Sequence, residues 1–199
     1  ICIDMGADFR LSSEAEYEEW YGKKFSQPEL HKNCVYGLPE LNKERIKNSK
    51  LIANPGCYPT TINLGLMPLI KNSLIKLDNI ICDSKSGTTG SGRKLSQTTH
   101  FPDENETFAP YKVGAHRHTP EIEEILSTMA NEKVKVTFTP HLLPINRGIL
   151  STIYCTPKNK VNLEEIHKLY EECYKNMPFV HVLPLGQTAS IKNVRLSND

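Results

Sequence analysis

The sequence predicts an α/β protein, and three observations carry that expectation. Short apolar runs typical of strands (Lys50 to Ala53, Asn79 to Asp83, and the alternating Val134, Val136 and Phe138) are interleaved with stretches whose apolar residues recur at helical spacing. Turn and cap residues stand where such elements should begin and end. The order of strands and helices is mixed, with no strict strand–helix–strand rhythm, internal repeat or low-complexity segment.

Ile1 to Met5 reads as the end of a strand. Ser13-Glu14-Ala15-Glu16 is a capping-box pattern, so a helix is expected from there to about Tyr21. Residues 22 to 50 look polar and loop-rich. Lys50-Leu51-Ile52-Ala53 is a short buried strand that delivers the chain to Asn54-Pro55-Gly56-Cys57. The first three of those are turn residues. Pro59 then suits a first helical turn, where its missing N–H costs nothing, and Ile62, Leu66, Leu69 and Ile70 give the helix its apolar face.

Asn79 to Asp83 is the next strand, and it runs into Ser86-Gly87-Thr88-Thr89-Gly90-Ser91-Gly92-Arg93-Lys94, expected to be the most flexible stretch. Thr119 is expected to cap a helix with Pro120 at its first position and Ile122, Ile125, Leu126 and Met129 on its apolar face. Val134, Val136 and Phe138 alternate as a half-buried strand, and Ile149 to Cys155 is a second β-rich run. Asn162 with Glu165 opens a third helix facing inward through Ile166, Leu169, Tyr170 and Cys173. Phe179 to Leu183 is expected as a closing strand, and Met5, Met67 and Met129 stand at core positions.

With 199 residues, 38% hydrophobic and 24% charged, the chain can build one large domain or two small ones around a real core. A net charge of +1, with no lysine or arginine block longer than two residues, argues against nucleic acid as a partner. Six cysteines without a C-x-x-C pair argue against a zinc knuckle and a disulfide framework, and point to a reducing, cytoplasmic setting. No apolar run approaches a membrane span, and no signal-peptide pattern opens the chain. The sequence begins inside a strand without Met and ends at Ser197-Asn198-Asp199 without a cap, so a piece of a longer protein is expected.

Cys57 is the foremost chemical candidate. A lone cysteine is more often buried and inert, but a thiol at a helix N-terminus meets partial positive charge and free N–H groups that favour the thiolate. Such a nucleophile needs a base brought near by the fold. Of seven histidines, His116 and His118 stand out, because His116-Arg117-His118-Thr119-Pro120-Glu121 lies in a loop just before a helix. The glycine-rich stretch matches neither a P-loop nor a dinucleotide fingerprint, since it reads G-x-x-G-x-G and Arg93-Lys94 follows Gly92. What it offers is backbone N–H groups beside two cations, suited to a phosphate or a cofactor amide. Arg10, after a strand end, could clamp an anion or simply form a surface ion pair.

Taken together, Gly6 to Leu11, Tyr36-Gly37-Leu38-Pro39-Glu40-Leu41, Asn54 to Thr60, Ser86 to Gly90, His116 to Ile122 and Pro144-Ile145-Asn146-Arg147-Gly148-Ile149-Leu150 resemble, in order and spacing, the N-acetyl-gamma-glutamyl-phosphate reductases of arginine biosynthesis. That resemblance implies the tail of a Rossmann-type dinucleotide-binding domain over residues 1–56. Residues 57–199 would form an α+β catalytic and dimerisation domain, truncated at its end, with a mixed, largely antiparallel sheet and helices on one face, like the C-terminal domain of glyceraldehyde-3-phosphate dehydrogenase-like enzymes. It implies Cys57 as the nucleophile toward an acyl phosphate, His116 as acid/base with His118 as the alternative, and NADPH as hydride donor. Arg10, Tyr111, His118 and Glu121 would bind substrate, and Ser86, Gly87 and Gly90 would lie by the nicotinamide of NADP. A homo-oligomer is expected, as is little turnover by residues 1–199 alone. Competing readings are the reductase for an acetylated aminoadipyl phosphate, one methylene longer; a cofactor-free Cys–His hydrolase or acyltransferase; and a non-enzymatic interaction domain with an inert Cys57.

Overall fold

The structure, a computed structural model, describes residues 1–194. Its first part holds strands β1 (Cys2–Asp4), β2 (Val35–Tyr36) and β3 (Leu51–Ala53), which pair in parallel in the order β1-β3-β2. Helix α1 (Glu14–Tyr21) starts as its capping box dictates, with Ser13 Oγ accepting the Glu16 N–H at 3.2 Å, and Gly22 ends it in the left-handed region. The stretch expected to be loop-rich instead contains α2 (Pro28–His31), β2 and α3 (Pro39–Lys47). α2 and β2 are too short to show an apolar period, and α3 is mostly polar, with no buried residue. Proline in the first turn opens both helices, and β2 exists through its pairing of Val35 with Ile52 and Tyr36 with Ala53.

Helix α4 (Cys57–Lys71) begins at the expected residue, with Gly56 at the cap position. It also carries Pro68 in its interior, which removes the amide that would bond the Leu64 carbonyl. That carbonyl is satisfied from elsewhere: Tyr174 OH donates to Leu64 O, and Tyr170 OH donates to Gly65 O at 2.5 Å. Both tyrosines belong to α7 (Leu163–Tyr174), whose start is capped by Asn162 Oδ1 accepting the Glu164 N–H at 2.8 Å.

A second sheet contains β4 (Ile80–Gly87), β5 (Ala109–Pro110), β6 (Val136–Leu143) and β7 (Ile149–Tyr154) in the order β5-β6-β4-β7. The β4–β6 pairing is parallel, and the β4–β7 and β5–β6 pairings are antiparallel, so the sheet is mixed. Along β4, Ile80, Cys82, Ser84 and Ser86 are buried while Ile81, Asp83 and Lys85 are only partly so, the period of two of a sheet with one covered face. Helices α4 and α6 (Thr119–Ala130) provide that cover, and the core joins Tyr58, Ile62 and Leu66 of α4 to Ile122 and Leu126 of α6 and to Ile80 and Phe138 of the sheet. On the other face Asp83 pairs with Lys85 and lies 3.3 Å from His141 Nδ1, while the Phe108 ring stacks on His141.

Several boundaries differ from the sequence expectations. Thr119 is the first residue of α6 rather than its cap; His118 takes the cap position, without a side-chain bond. Val134 is buried but precedes β6, its N–H donating to Ser127 Oγ at 2.9 Å. Phe179 to Leu183 is irregular, not a strand: Phe179 is exposed, prolines bracket the run, and Leu183 O accepts from the His167 ring. Met5 is exposed, whereas Met67 is in the core and Met129 packs against it. Between β4 and β5 the chain forms a 3-10 turn at Thr88–Ser91, another at Gln97–Thr99, and α5 (Phe101–Glu104). The last described element is α8 (Ile191–Val194), and Ser197 to Asp199 lie outside the described residues.

Candidate active site at the start of helix α4

The turn that presents Cys57 is held from beneath by groups far away in sequence. Arg10 donates from Nε to Asn54 O at 2.8 Å and from Nη2 to Met5 O at 3.1 Å, and its Nη1 lies 3.4 Å from Glu121 Oε2. Glu121, 1% exposed, accepts the Gly56 N–H at 2.7 Å and the Tyr36 OH at 2.8 Å. Burial pushes the Glu121 carboxyl up, and Arg10 and the two donors oppose that rise. Three donors converging on one group call for an acceptor-only carboxylate. Arg10 and Glu121, expected as substrate contacts, thus have their polar atoms engaged with the turn before Cys57.

Gly56 lets an imidazole approach the turn closely: a Cβ there would stand 2.6 Å from His118 Nε2. His118, not His116, is therefore the ring lying against the residue before Cys57. His116 is 8% exposed and walled by Tyr58, Tyr111, Phe138 and His118, with ring centroids 5.5, 5.5, 5.3 and 4.9 Å away. Its Nδ1 accepts the His118 N–H at 3.1 Å. Burial, with Lys112 and Arg117 nearby, pulls His116 down to about 4. Burial, with His116 and Arg10, pulls His118 down to about 3, so both rings are neutral at neutral pH.

Cys57 itself is exposed. Surrounding protein nevertheless pushes its thiol up, against the pull of the Tyr58 and Cys57 amides, and Glu121 adds to the rise. The expected bias toward thiolate is thus outweighed. Pro59 supplies no N–H and the Thr60 amide is committed to Gly56 O, so the helix start has few amides for the sulfur. Among the described residues no hydrogen bond joins Cys57 to either imidazole. The residues on either side of it do reach the site, Gly56 through His118 and Tyr58 through a 3.0 Å hydroxyl pair with Tyr111.

Tyr111, His116, His118, Gly90 and Arg10 line one cleft of about 720 Å3, together with Lys94, Lys112 and Arg117, which make no ion pair among the described residues. A larger cavity of about 850 Å3, bounded by Phe9, Phe25, His31 and Arg45, shares Arg10 with this cleft but contains neither His116 nor His118. Among the described residues no cluster of three or more His, Cys, Asp or Glu could hold a metal ion, and no helix is long and apolar enough to cross a membrane.

The start of the glycine-rich segment has its amides engaged rather than free. Gly87, Thr88 and Thr89 donate their N–H groups to Gly148 O, Ile145 O and Asn146 O at 3.0, 2.9 and 3.1 Å. A Cβ on Gly87 would lie 2.7 Å from the Asn146 carbonyl, so the glycine admits protein backbone. Ser86 is buried and donates from Oγ to Gly87 O at 2.9 Å. Of the three positions expected beside a cofactor, Gly90 is the one lining the cleft. Sequence reading assigned no role to Tyr58, whose place beside Cys57 was a usable signal, or to Tyr36, whose bond to Glu121 spans 85 residues.

The chain is 80% identical over 199 residues to an N-acetyl-gamma-glutamyl-phosphate reductase of Clostridium beijerinckii, covering all of this chain and 58% of that protein. It is 59% identical over 198 residues to the protein of the same name in Clostridium kluyveri, again 58% of its length. The chain thus spans less than two thirds of the curated relatives it matches. Among solved structures, aspartate semialdehyde dehydrogenase II of Vibrio cholerae complexed with ASA superposes with a TM-score of 0.63 at 12% identity, over 95% of this chain and 56% of that one. Aspartate semialdehyde dehydrogenase from Francisella tularensis gives 0.59 at 14% identity, over 86% and 55%; at such identities these likenesses establish the fold. Residues 57–199 match the family described as semialdehyde dehydrogenase, dimerisation domain, and the chain belongs to that family.

Proposed function

We propose that this chain is the catalytic part of an NADPH-dependent reductase of arginine biosynthesis, which converts N-acetyl-glutamyl 5-phosphate to N-acetyl-glutamate 5-semialdehyde through a thioester on Cys57. The observation that carries the reading is the nucleophile's setting: Cys57 opens a helix, its two neighbours touch His118 and Tyr111, and those line a cleft with three cations that lack carboxylate partners among the described residues. The names of the relatives supply the substrate and favour the glutamyl over the aminoadipyl compound.

In this reading neutral His118 accepts the Cys57 proton, which a thiol pushed upward needs. The sulfur attacks the acyl carbon, the carbon–oxygen bond to phosphate breaks, and phosphate leaves. Lys94, Lys112 and Arg117 offset the anionic charge of substrate and leaving group. The nicotinamide cofactor, when bound, supplies the hydride that reduces the thioester. His118 then manages the proton as the resulting oxygen re-forms a carbonyl and Cys57 leaves as thiol. This assigns the acid/base role to His118 rather than to His116.

Gly90 fits the nicotinamide end of NADP: it lines the cleft, and an added Cβ would meet only Ser86 Oγ at 3.4 Å. Gly87 to Thr89, their amides engaged, would not hold cofactor phosphates. We divide the chain into residues 1–56, the tail of a dinucleotide-binding unit, and 57–199, the catalytic and dimerisation domain. The parallel β1-β3-β2 sheet and the span of the family match support that division. A homo-oligomer in the cytoplasm follows from the same reading. The test is mass spectrometry of the full-length protein with the acyl phosphate and no NADPH. An acyl adduct on Cys57, discharged as semialdehyde when NADPH is added and absent in Cys57→Ser, is expected; turnover without such an adduct overturns the reading.

A further inference from the structure

We infer that His116 is locked as the neutral Nε2–H tautomer and acts as a fixed hydrogen-bond donor to the acyl oxygen of the substrate, leaving proton transfer to His118. This rests on the reaction proposed above and divides its labour between the two imidazoles.

The inference begins with a bond of fixed polarity. The His118 backbone amide can only donate, so the His116 Nδ1 it meets at 3.1 Å must carry a lone pair. A neutral imidazole has one proton, which then sits on Nε2. Four aromatic walls prevent the ring from turning to exchange its nitrogens, since Tyr58, Tyr111, Phe138 and His118 meet it at interplanar angles of 89, 72, 84 and 63°. Among the described residues Nε2 has no hydrogen-bond partner, yet it is not among the buried unpartnered atoms, so it is the ring nitrogen that reaches the cleft. A ring in this state offers no free lone pair and cannot serve as the base for Cys57. It can hold an N–H toward an oxygen on which negative charge develops as the sulfur adds. Lys112 and Arg117 face it from its own loop, and among the described residues no carboxylate pairs with it to stabilise a second proton.

His118 has the opposite character. Its Nδ1 is buried without a partner and its Nε2 end lies over Gly56, so neither nitrogen is committed by a protein hydrogen bond. It retains the freedom to take and return a proton that His116 has lost.

The test uses the full-length protein with 15N-labelled histidine. Imidazole NMR should give His116 as the Nε2–H tautomer throughout the neutral range, a readout independent of turnover; an Nδ1–H signal, or exchange between tautomers, overturns the proposal even if the protein reduces its substrate. In kinetics, His116→Phe keeps the ring but no N–H and should lose about 100- to 1,000-fold in kcat. His116→Gln, which restores an N–H, should recover most of that loss. Neither should move the acid limb of the pH–rate profile, which His118→Gln should abolish. An acid limb that disappears with His116 variants instead assigns proton transfer to His116 and refutes the inference. If the wild-type protein does not reduce the acyl phosphate, the functional reading fails while the NMR result still decides the tautomer.

Discussion

Tyr174→Phe is the sharpest test of how α4 is held in place. The hydroxyl it removes is the donor that serves the Leu64 carbonyl, which Pro68 leaves without its helical partner. Tyr174 is 4% exposed, so water should not replace the lost bond freely, and an unsatisfied carbonyl of this kind costs about 1–3 kcal/mol. Tyr170 continues to bond the neighbouring Gly65 carbonyl but is not positioned on Leu64. The decisive comparison is a double-mutant cycle with Pro68→Ala, which returns an amide proton to the helix. In that background Leu64 has its own partner and the tyrosine hydroxyl becomes nearly redundant, so the cost of Tyr174→Phe should fall below about 1 kcal/mol. Equilibrium urea unfolding of the four variants measures this, with m unchanged as the sign that only stability has moved. Equal costs in the wild-type and Pro68→Ala backgrounds would show that the hydroxyl does not substitute for the missing amide, and the reasoning would fail.

The remaining predictions concern the site. Glu121→Gln leaves the Arg10 guanidinium without its buried counter-charge and should cost about 3–5 kcal/mol, read from thermal unfolding; a loss under about 1 kcal/mol would mean the pair does not brace the turn. Folded-state values of about 4 for His116 and about 3 for His118, against 6.5 unfolded, mean the unfolded chain binds more protons in acid. The stability tied to both is therefore complete above pH 6.5 and lost as pH falls toward 4 and 3, and a wild-type unfolding midpoint that stays flat from pH 7 to 4 would contradict it. Iodoacetamide labelling of Cys57 should keep accelerating past pH 9, because the thiol is pushed above its ordinary value; a plateau below pH 7 would reveal a thiolate instead. Gly87→Ala forces a methyl to within 2.7 Å of the Asn146 backbone, so it should destabilise the chain markedly while Gly90→Ala, whose methyl would meet Ser86 Oγ at an ordinary 3.4 Å, should not.

The local parts of this protein were legible because neighbouring residues encode them. The Ser13 capping box, the Asn162 cap, the Asn54-Pro55-Gly56 turn and the start of α4 at Cys57 all depend on contacts within a few residues, and each stands where the spacing put it. α2 and β2, at four and two residues, were too short to show a period, and α3 is too polar to show an apolar face. Phe179 to Leu183 had the composition of a strand but no partner to pair with among the described residues.

What the sequence determined by itself was the identity of the candidate groups: a cysteine at a helix start, a pair of histidines before another helix, and a glycine-rich turn after a strand. Their roles were decided by contacts spanning much greater distances along the chain. Arg10 reaches Asn54 across 44 residues and Glu121 across 111, and these bonds tie both side chains to the turn before Cys57. The glycine turn is tied to residues 145–148, and Gly56 meets His118, through approaches that no periodicity announces. Turn and helix chemistry is local and can be read in order, whereas burial, tautomer and charge partner are set by whatever the fold brings alongside.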